Sequence, residues 1–228
     1  MNPTRRKIDY RKEQEATLAR PHLRYTGMAK TLFNAMDLTY GRGTTLPKVR
    51  LLETLARIPY QAWETRQYSL LSHRYHNIED VQRAKEIVEW GREAQDNEFW
   101  HLLVIEERMR LESAREGWLW QDVAPRVACF KYAWFSRMLA RLDIRRAFYM
   151  NAEFEDHAEH VYFQFVKDHP ELETQKVESD IVQQHPNGPF ENWADVFRQI
   201  ALDERDHMNN SFKHCGMSDR IAPYVSAG

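Results

Sequence analysis

Cysteine, glycine and proline are all scarce in this sequence of 228 residues. There are two cysteines, Cys129 and Cys215, with eight glycines and nine prolines. Two distant cysteines exclude a disulfide framework and a zinc site of paired CxxC motifs, and they fit a reducing compartment. No segment alternates polar and apolar residues in the way that predicts a β-strand. These absences favour a helical protein.

Long apolar runs and an excess of one charge are missing as well. The 32 Lys and Arg residues nearly balance 34 Asp and Glu residues, which argues against a nucleic-acid partner. No run of about 18 apolar residues predicts a transmembrane helix, and the mean hydropathy is −0.72. The basic N-terminus lacks the apolar core of a signal peptide. We therefore expect a cytoplasmic protein with one core, which could still lie peripherally on the inner face of a membrane.

Apolar residues recur every three or four positions in six segments, which predicts an antiparallel bundle of helices. Pro59 should kink the second helix without ending it, and a polar crossover loop should occupy residues 168–190. We expect an N-terminal arm over residues 1–27, a helical domain over 28–213 and a C-terminal tail over 214–228. The predicted helices span residues 28–39, 45–72, 78–115, 119–140, 142–167 and 193–213.

Two Glu-x-x-His motifs occur far apart in the chain, as Glu98 with His101 and Glu204 with His207. Three positions on a helix correspond to about 300° of rotation, so both side chains leave one face and can reach one ion. A single motif of this kind is most often a solvated surface pair. Here both motifs share their faces with apolar residues. These residues are Ala94, Leu102, Ile105 and Met109 for the first motif, and Trp193, Val196, Phe197, Ile200 and Met208 for the second.

Glu53 and Glu155 add one inward carboxylate from each of two other helices. Burying four carboxylates without cations would cost several kcal/mol each, so the pattern predicts two divalent metal ions held by four Glu and two His. This ligand set is typical of di-iron carboxylate proteins. Iron is favoured over zinc because the donors are rich in oxygen and lack thiolates, while a Mn/Fe pair remains open. The expected fold is all-α, a ferritin-like four-helix bundle with one or two accessory helices.

Other acidic residues near these motifs compete for the same role. Glu106 and Glu107 lie beside Arg108 and Arg110 and are interpreted as surface charges. Glu159 lies one turn after Glu155 and has nearly the same apolar neighbours. Periodicity barely separates Glu155 from Glu159 as the fourth carboxylate ligand.

Over residues 28–213 the chain resembles the alternative oxidases, which are non-haem di-iron quinol oxidases of respiratory and plastid chains. "LLETLARIP" resembles their "LETVAAVP", "DNEFWHL" their "NERMHL", "FEDHAEHVYFQF" their "LEEEAxHSYTEF" and "LDERDH" their "ADEAHH". The four segments follow the same order. The resemblance selects Glu155 over Glu159 and implies these metal ligands: Glu53, Glu98, His101, Glu155, Glu204 and His207.

The resemblance also implies roles for residues around the metal. Tyr162 falls on the catalytic tyrosine of the family, although from the sequence alone it could equally be a core aromatic. Asn97 and Asp203 fall on residues that orient the His ligands.

Residues implied to receive the quinol differ most from the family. Lys48 stands where the family has Arg, Phe154 where it has Leu, His157 where it has Glu, and Val161 where it has Thr. The metal ligands are kept while the substrate pocket changes, so the resemblance supports oxygen chemistry more strongly than it supports a quinol substrate. The complete set of implied substrate-binding residues is Lys48, Leu52, Phe154, His157, Ala158 and Val161.

The function implied is reduction of O₂ to water with electrons from ubiquinol or plastoquinol. Two alternatives remain, a di-iron monooxygenase acting on a soluble or quinone-like molecule and a ferritin-like ferroxidase. The family also binds one membrane leaflet through the helices that correspond to residues 28–39 and 119–140. In this chain those helices mix aromatic and basic residues, which suits a membrane surface and equally a homodimer contact.

Overall fold

A computed structural model describes residues 8–114 and 117–225, and no β-strand is found in these ranges. The chain is all-helical there, as the sequence predicts. The α-helices are α1 (Tyr10–Ala19), α2 (Gly27–Tyr40), α3 (Leu46–Arg74), α4 (Ile78–Leu111), α5 (Ala124–Leu142), α6 (Ile144–Asp168), α7 (Asp180–Gln183) and α8 (Trp193–Cys215).

All six predicted helices are confirmed, with ends that differ by a few residues. Asn77 caps α4 by accepting hydrogen bonds from the Glu79 and Asp80 amides, and Asn192 caps α8 by accepting one from the Asp195 amide. Gly216, with φ of 77°, ends α8 in the left-handed conformation that favours glycine. Helix α4 ends at Leu111, short of the prediction, whose last residue, 115, lies outside the described residues.

The N-terminal arm contains a helix that the periodicity did not predict. Asp9 caps α1 by accepting a hydrogen bond from the Lys12 amide. The buried side of α1 consists of Glu13, Gln14 and Thr17, so its inward face is polar and leaves no apolar pattern in the sequence. Residues 1–7 of the predicted arm and 226–228 of the predicted tail lie outside the described ranges.

The chain divides into two compact units. The first unit comprises Met1–Thr31 with Ala152–Gly228, and the second comprises Leu32–Asn151. In the first unit α6 packs on α8, where the Phe197 ring lies 4.8 Å from the ring of Phe165 and 6.3 Å from that of Tyr162. These aromatic side chains are buried and form part of the core of the first unit.

The second unit is built around α3, α4 and α5. Trp63 on α3 stacks on Trp90 of α4 with 4.9 Å between ring centroids. Helix α3 runs from Leu46 to Arg74, so it continues through Pro59 as predicted. A π-helical turn at Leu119–Val123 precedes α5, whereas the sequence predicted one α-helix over this stretch. None of the helices in the described ranges combines the length and apolar character that crossing a bilayer requires.

Candidate metal centre

Glu53, Glu98 and His101 form a cluster in the second unit, which we call the 53/98/101 triad. Glu53 comes from α3, whereas Glu98 and His101 lie one turn apart on α4. His101 Nδ1 is 3.3 Å from Glu53 Oε2 and 3.5 Å from Glu98 Oε2. All three side chains are fully buried. The triad therefore directs two carboxylates and one imidazole nitrogen toward each other inside the core.

Glu155, Glu204 and His207 form a second cluster in the first unit, the 155/204/207 triad. Glu155 comes from α6, and Glu204 and His207 lie one turn apart on α8. Their donor atoms lie within 4.8 Å of one another, and His207 Nδ1 is 3.3 Å from Glu204 Oε2. Both carboxylates are fully buried, and His207 is nearly so. Each unit thus contains one Glu from one helix and one Glu-x-x-His motif from another.

The inward direction of these side chains follows from the faces of their helices. Val49 and Ala56, which flank Glu53 on α3, are fully buried, as are Val196 and Ile200 on the Glu204 face of α8. Burying each apolar stripe turns the carboxylate on the same stripe into the core. The inward orientation predicted for these glutamates is therefore confirmed.

The donor atoms of each triad suit a divalent first-row metal ion. Metal bonds to carboxylate oxygen and imidazole nitrogen are about 2.0–2.2 Å long, so ligands around one ion lie within about 4.4 Å of each other. In the 53/98/101 triad, His101 Nδ1 lies 3.3 Å from the Glu53 oxygen and 3.5 Å from the Glu98 oxygen, both within this limit. Two carboxylates also carry more negative charge than one imidazolium can balance, which a divalent cation would correct. These buried Glu and His clusters could therefore hold metal ions.

Glu159, the rival of Glu155 in the sequence, has a different environment. It accepts hydrogen bonds from Arg205 Nε at 2.8 Å, Thr17 Oγ1 at 2.6 Å and Arg20 Nη2 at 2.6 Å. Two arginines compensate its charge without a metal ion. Glu159 therefore acts as a structural ion-pair partner, while Glu155 lies among other possible metal ligands.

His22, Asp156 and His160 form a third cluster, also in the first unit, with donor atoms within 4.8 Å of one another. Its carboxylate is engaged, because Asp156 Oδ2 accepts from Tyr25 Oη at 2.9 Å and Oδ1 lies 3.3 Å from Arg20 Nη2. Burial pushes the pKa of Asp156 upward, but the hydrogen bond from His22 helps to bring that pKa below its ordinary value. Both ring nitrogens of His160 face carbonyl oxygens, those of Asp156 and Arg20. This cluster anchors the chain that follows α1 and does not suit a metal ion.

Residues expected beside the metal ligands lie in both units. Tyr162 is fully buried on α6, seven residues after Glu155 and therefore on the same helix face. Asp203 accepts a hydrogen bond from Gln199 Nε2 at 2.8 Å, and its Oδ2 lies 3.7 Å from His185 Nε2. Asn97 is partly exposed on α4. The catalytic role of Tyr162 and the orienting roles of Asn97 and Asp203 stay predictions.

The residues expected to bind substrate in the second unit are buried. Lys48 Nζ donates to Asp37 Oδ1 at 2.5 Å and to the Gly41 carbonyl at 3.0 Å. Leu52 is buried in α3. The Lys48 ammonium therefore joins the start of α3 to the end of α2, and its expected role in substrate binding stays a prediction.

The corresponding residues of the first unit lie along α6. Phe154 and Ala158 are buried, whereas His157 and Val161 are partly exposed. The His157 ring lies 6.2 Å from the ring of Tyr25 and 6.4 Å from that of His22. Sequence reasoning missed these two neighbours because they follow α1 in a segment without apolar periodicity.

An exposed apolar surface covers α5 and the turn before it in the second unit. We call it the α5 face. Lys131, Arg137 and Arg141 are exposed on the same helix. A helix with exposed aromatic and basic residues is typical of proteins that lie in a membrane interface. The exposed apolar side chains of the α5 face are Trp118, Leu119, Trp120, Val127, Phe130, Trp134, Met138 and Leu142.

Comparisons with protein-family models, curated proteins and solved structures found no match to this chain. The geometry of the two triads and the chemistry of their donor atoms are therefore the observations from which a function can be proposed.

Proposed function

We propose that this protein is a di-iron oxidase that reduces O₂ to water with electrons from a quinol. The observation that carries the proposal is the repeated ligand set, one Glu and one buried Glu-x-x-His motif in each unit. Together the triads would supply the four carboxylates and two imidazoles that di-iron proteins use. The ferritin-like four-helix bundle expected from the sequence is part of this proposal.

Iron fits these donors better than zinc does. Oxygen-rich sites without thiolates favour iron or manganese, and the expected open positions suit O₂. The groups of possible metal ligands among the described residues contain no cysteine. When bound, the iron pair would supply the redox chemistry that reduces O₂. Mn/Fe is the alternative pair that the same ligands would accept.

The side chains of this chain would then have distinct roles. Both His ligands would bind through Nδ1, because that atom faces the carboxylates in each triad. Tyr162, buried on the same face of α6 as Glu155, would pass a proton from Oη and an electron to the oxygen being reduced, and the quinol would restore both. His157 is favoured over Lys48 as the acceptor of substrate protons, since Lys48 Nζ is engaged by Asp37.

Two observations bear on the reductant. The α5 face exposes aromatic and basic side chains together, which suits a protein that takes an apolar quinol from a membrane surface. The resemblance to the alternative oxidases implies the same substrate class. The competing interpretation is that the α5 face is buried in a homodimer.

A monooxygenase is the second candidate function. It is favoured by His157, Phe154 and Val161, which replace family residues on one stretch of α6. These residues could form a binding site for a soluble or quinone-like molecule, which would then receive one oxygen atom from O₂.

Oxygen uptake by iron-loaded protein tests the proposal. Protein loaded anaerobically with Fe²⁺ is mixed with O₂ and a short-chain ubiquinol, and quinone formation is followed with O₂ consumption. We expect two bound iron ions per chain and two quinols oxidised for each O₂, since each quinol gives two electrons. The Glu98→Gln variant should lose this activity, whereas Glu106→Gln, an exposed position on the same helix, should keep it.

The alternatives give different results in the same assay. Iron oxidation without quinol consumption would favour a ferroxidase and would contradict the quinol oxidase. Oxidation of one quinol and formation of one molecule of an oxygenated product for each O₂ would favour the monooxygenase. A protein that binds no iron would contradict the whole proposal.

A further inference from the structure

The buried side chains of helix α1 are polar, and they contact α6 and α8. Glu13, Gln14 and Thr17 form its buried side. Gln14 Nε2 donates to the Phe163 carbonyl of α6 at 2.9 Å, and Gln14 Oε1 accepts from Arg198 Nε of α8 at 2.8 Å. Directional bonds of this kind hold helices at one relative position more specifically than apolar contacts do. The interface is therefore suited to setting how α6 and α8 lie against each other.

Arg205 of α8 lies at the centre of this interface. Its guanidinium donates from Nε to Glu159 Oε1 at 2.8 Å and from Nη2 to Thr17 Oγ1 at 2.6 Å, and Nη1 forms an ion pair with Glu13. The side chain is 3% exposed, and both carboxylates are fully buried. One guanidinium thus connects three helices through three of its nitrogen atoms. We call Arg205, Glu13, Glu159 and Thr17 the arginine clamp.

The arginine clamp adjoins the 155/204/207 triad along both ligand helices. Arg205 directly follows the predicted ligand Glu204, and Glu159 lies one turn after the predicted ligand Glu155. The ion pair between Arg205 and Glu159 therefore links α6 to α8 close to the level at which their metal ligands leave the backbone. A shift of either helix would change both the clamp and the spacing of the ligands.

We propose that α1 sets the geometry of the 155/204/207 triad through the arginine clamp, with Arg205 as a positioning residue for metal binding. This inference rests on the proposed function, because it requires the triad to bind metal. A metal site depends on ligands held at defined distances, and residues that orient ligands commonly affect affinity by about 10–100-fold. A helix in the N-terminal segment would thereby control how tightly the site holds its ions.

A purely structural clamp would stabilise the fold without affecting the metal. The two roles differ in what they change in folded protein. Loss of a structural clamp lowers the midpoint of thermal unfolding only. Loss of a positioning clamp also weakens metal binding at temperatures far below that midpoint and changes the geometry around the ion.

Substitution of Glu13 separates these roles, because Glu13 lies on α1 and not on a ligand helix. We compare Glu13→Gln with Glu15→Gln, the same change at an exposed position of α1. Full-length metal-free protein is titrated with Co²⁺, whose visible absorption reports coordination geometry. We expect Glu13→Gln to weaken at least one Co²⁺ binding step about 10-fold and to alter the Co²⁺ spectrum. Glu15→Gln should bind within about twofold of the original protein.

Thr17→Val provides a second variant if Glu13→Gln does not fold. It removes the hydroxyl that donates to Glu159 and accepts from Arg205 while keeping nearly the same volume. We expect a smaller loss of Co²⁺ affinity in the same binding step. Unaltered affinity and spectrum in a folded Glu13→Gln or Thr17→Val protein would overturn the arginine clamp as a positioning device. Failure of the original protein to bind Co²⁺ or Fe²⁺ would instead refute the proposed function.

Discussion

Nδ1 of His101 on α4 lies 3.3 Å from Oε2 of Glu53 on α3, so two helices of the second unit bring an imidazole and a carboxylate together. In the first unit His207 Nδ1 lies 3.3 Å from Glu204 Oε2. Both histidines therefore turn the same ring nitrogen toward a fully buried carboxylate. This shared orientation places the same kind of nitrogen donor beside a carboxylate in each triad, as a metal site would require.

Substitution of His101 or His207 should weaken metal binding. We expect His101→Ala and His207→Ala each to lower the affinity of at least one metal ion by at least about 10-fold, since each loses a nitrogen ligand. Metal content per chain after desalting measures this. His73→Ala, at an exposed position of α3, is the control and should keep its metal. Full metal content in His101→Ala would exclude His101 as a ligand.

Glu155 and Glu159 should respond in opposite ways to the same substitution. Glu159→Gln weakens the charge-assisted hydrogen bonds from Arg205 and Arg20, which keep their other carboxylate partners, so the metal-free protein should lose about 2 kcal/mol in its free energy of unfolding. Glu155→Gln removes a buried carboxylate that lies among others, so the metal-free protein should be at least as stable as the original. Urea unfolding of metal-free protein measures both free energies, and Fe²⁺ binding should be lost in Glu155→Gln. The reverse pattern would make Glu159 the ligand.

Acid should weaken one ion pair of the first unit. A hydrogen bond from Arg198 lowers the pKa of Glu173 below its ordinary value. Because the folded-state pKa is depressed, the contribution to stability is complete above the unfolded pKa of about 4.3 and is lost as the pH falls through the folded value. We expect Glu173→Gln to cost about 1 kcal/mol at pH 7. This difference from the original protein should shrink below about pH 4.

Urea unfolding at pH 7 and at pH 3 measures the Glu173 effect. Glu171→Gln, an exposed neighbour, should differ little from the original protein at either pH. An equal cost of Glu173→Gln at both pH values would show that the ionised carboxylate does not contribute.

The α5 face should bind phospholipid vesicles. Phe130→Glu and Trp134→Glu replace exposed side chains, so the fold should persist while each variant loses an aromatic insertion worth about 2 kcal/mol. We expect cosedimentation with anionic vesicles to fall at least about fivefold for each. Tyr75→Glu, exposed at the end of α3, should bind as the original does. A change from dimer to monomer without any effect on vesicle binding would assign the α5 face to a homodimer contact.

Much of the helical structure could be predicted from local patterns. Asn77 and Asn192 cap their helices as the sequence predicts, because capping depends on residues two or three positions away. The inward orientation of Glu53 and Glu204 was also predictable, since a helix with an apolar stripe buries that stripe whatever it packs against. The π-helical turn before α5 was not predictable, because it does not interrupt the apolar pattern.

The sequence by itself determined that the chain is helical and that glutamates and histidines lie on buried faces, because both properties depend on the spacing of neighbouring residues. Only the tertiary structure decided which acidic residue forms an ion pair with each buried arginine. Glu155 and Glu159 have nearly the same flanking pattern, and Arg205 is 46 positions from Glu159 in the chain. The polar contacts of α1 with α6 and α8 were equally unpredictable, because an ion pair between helices far apart in the chain leaves no periodic pattern in the sequence. Long-range charge pairing therefore separates the structural carboxylate from the candidate metal ligand.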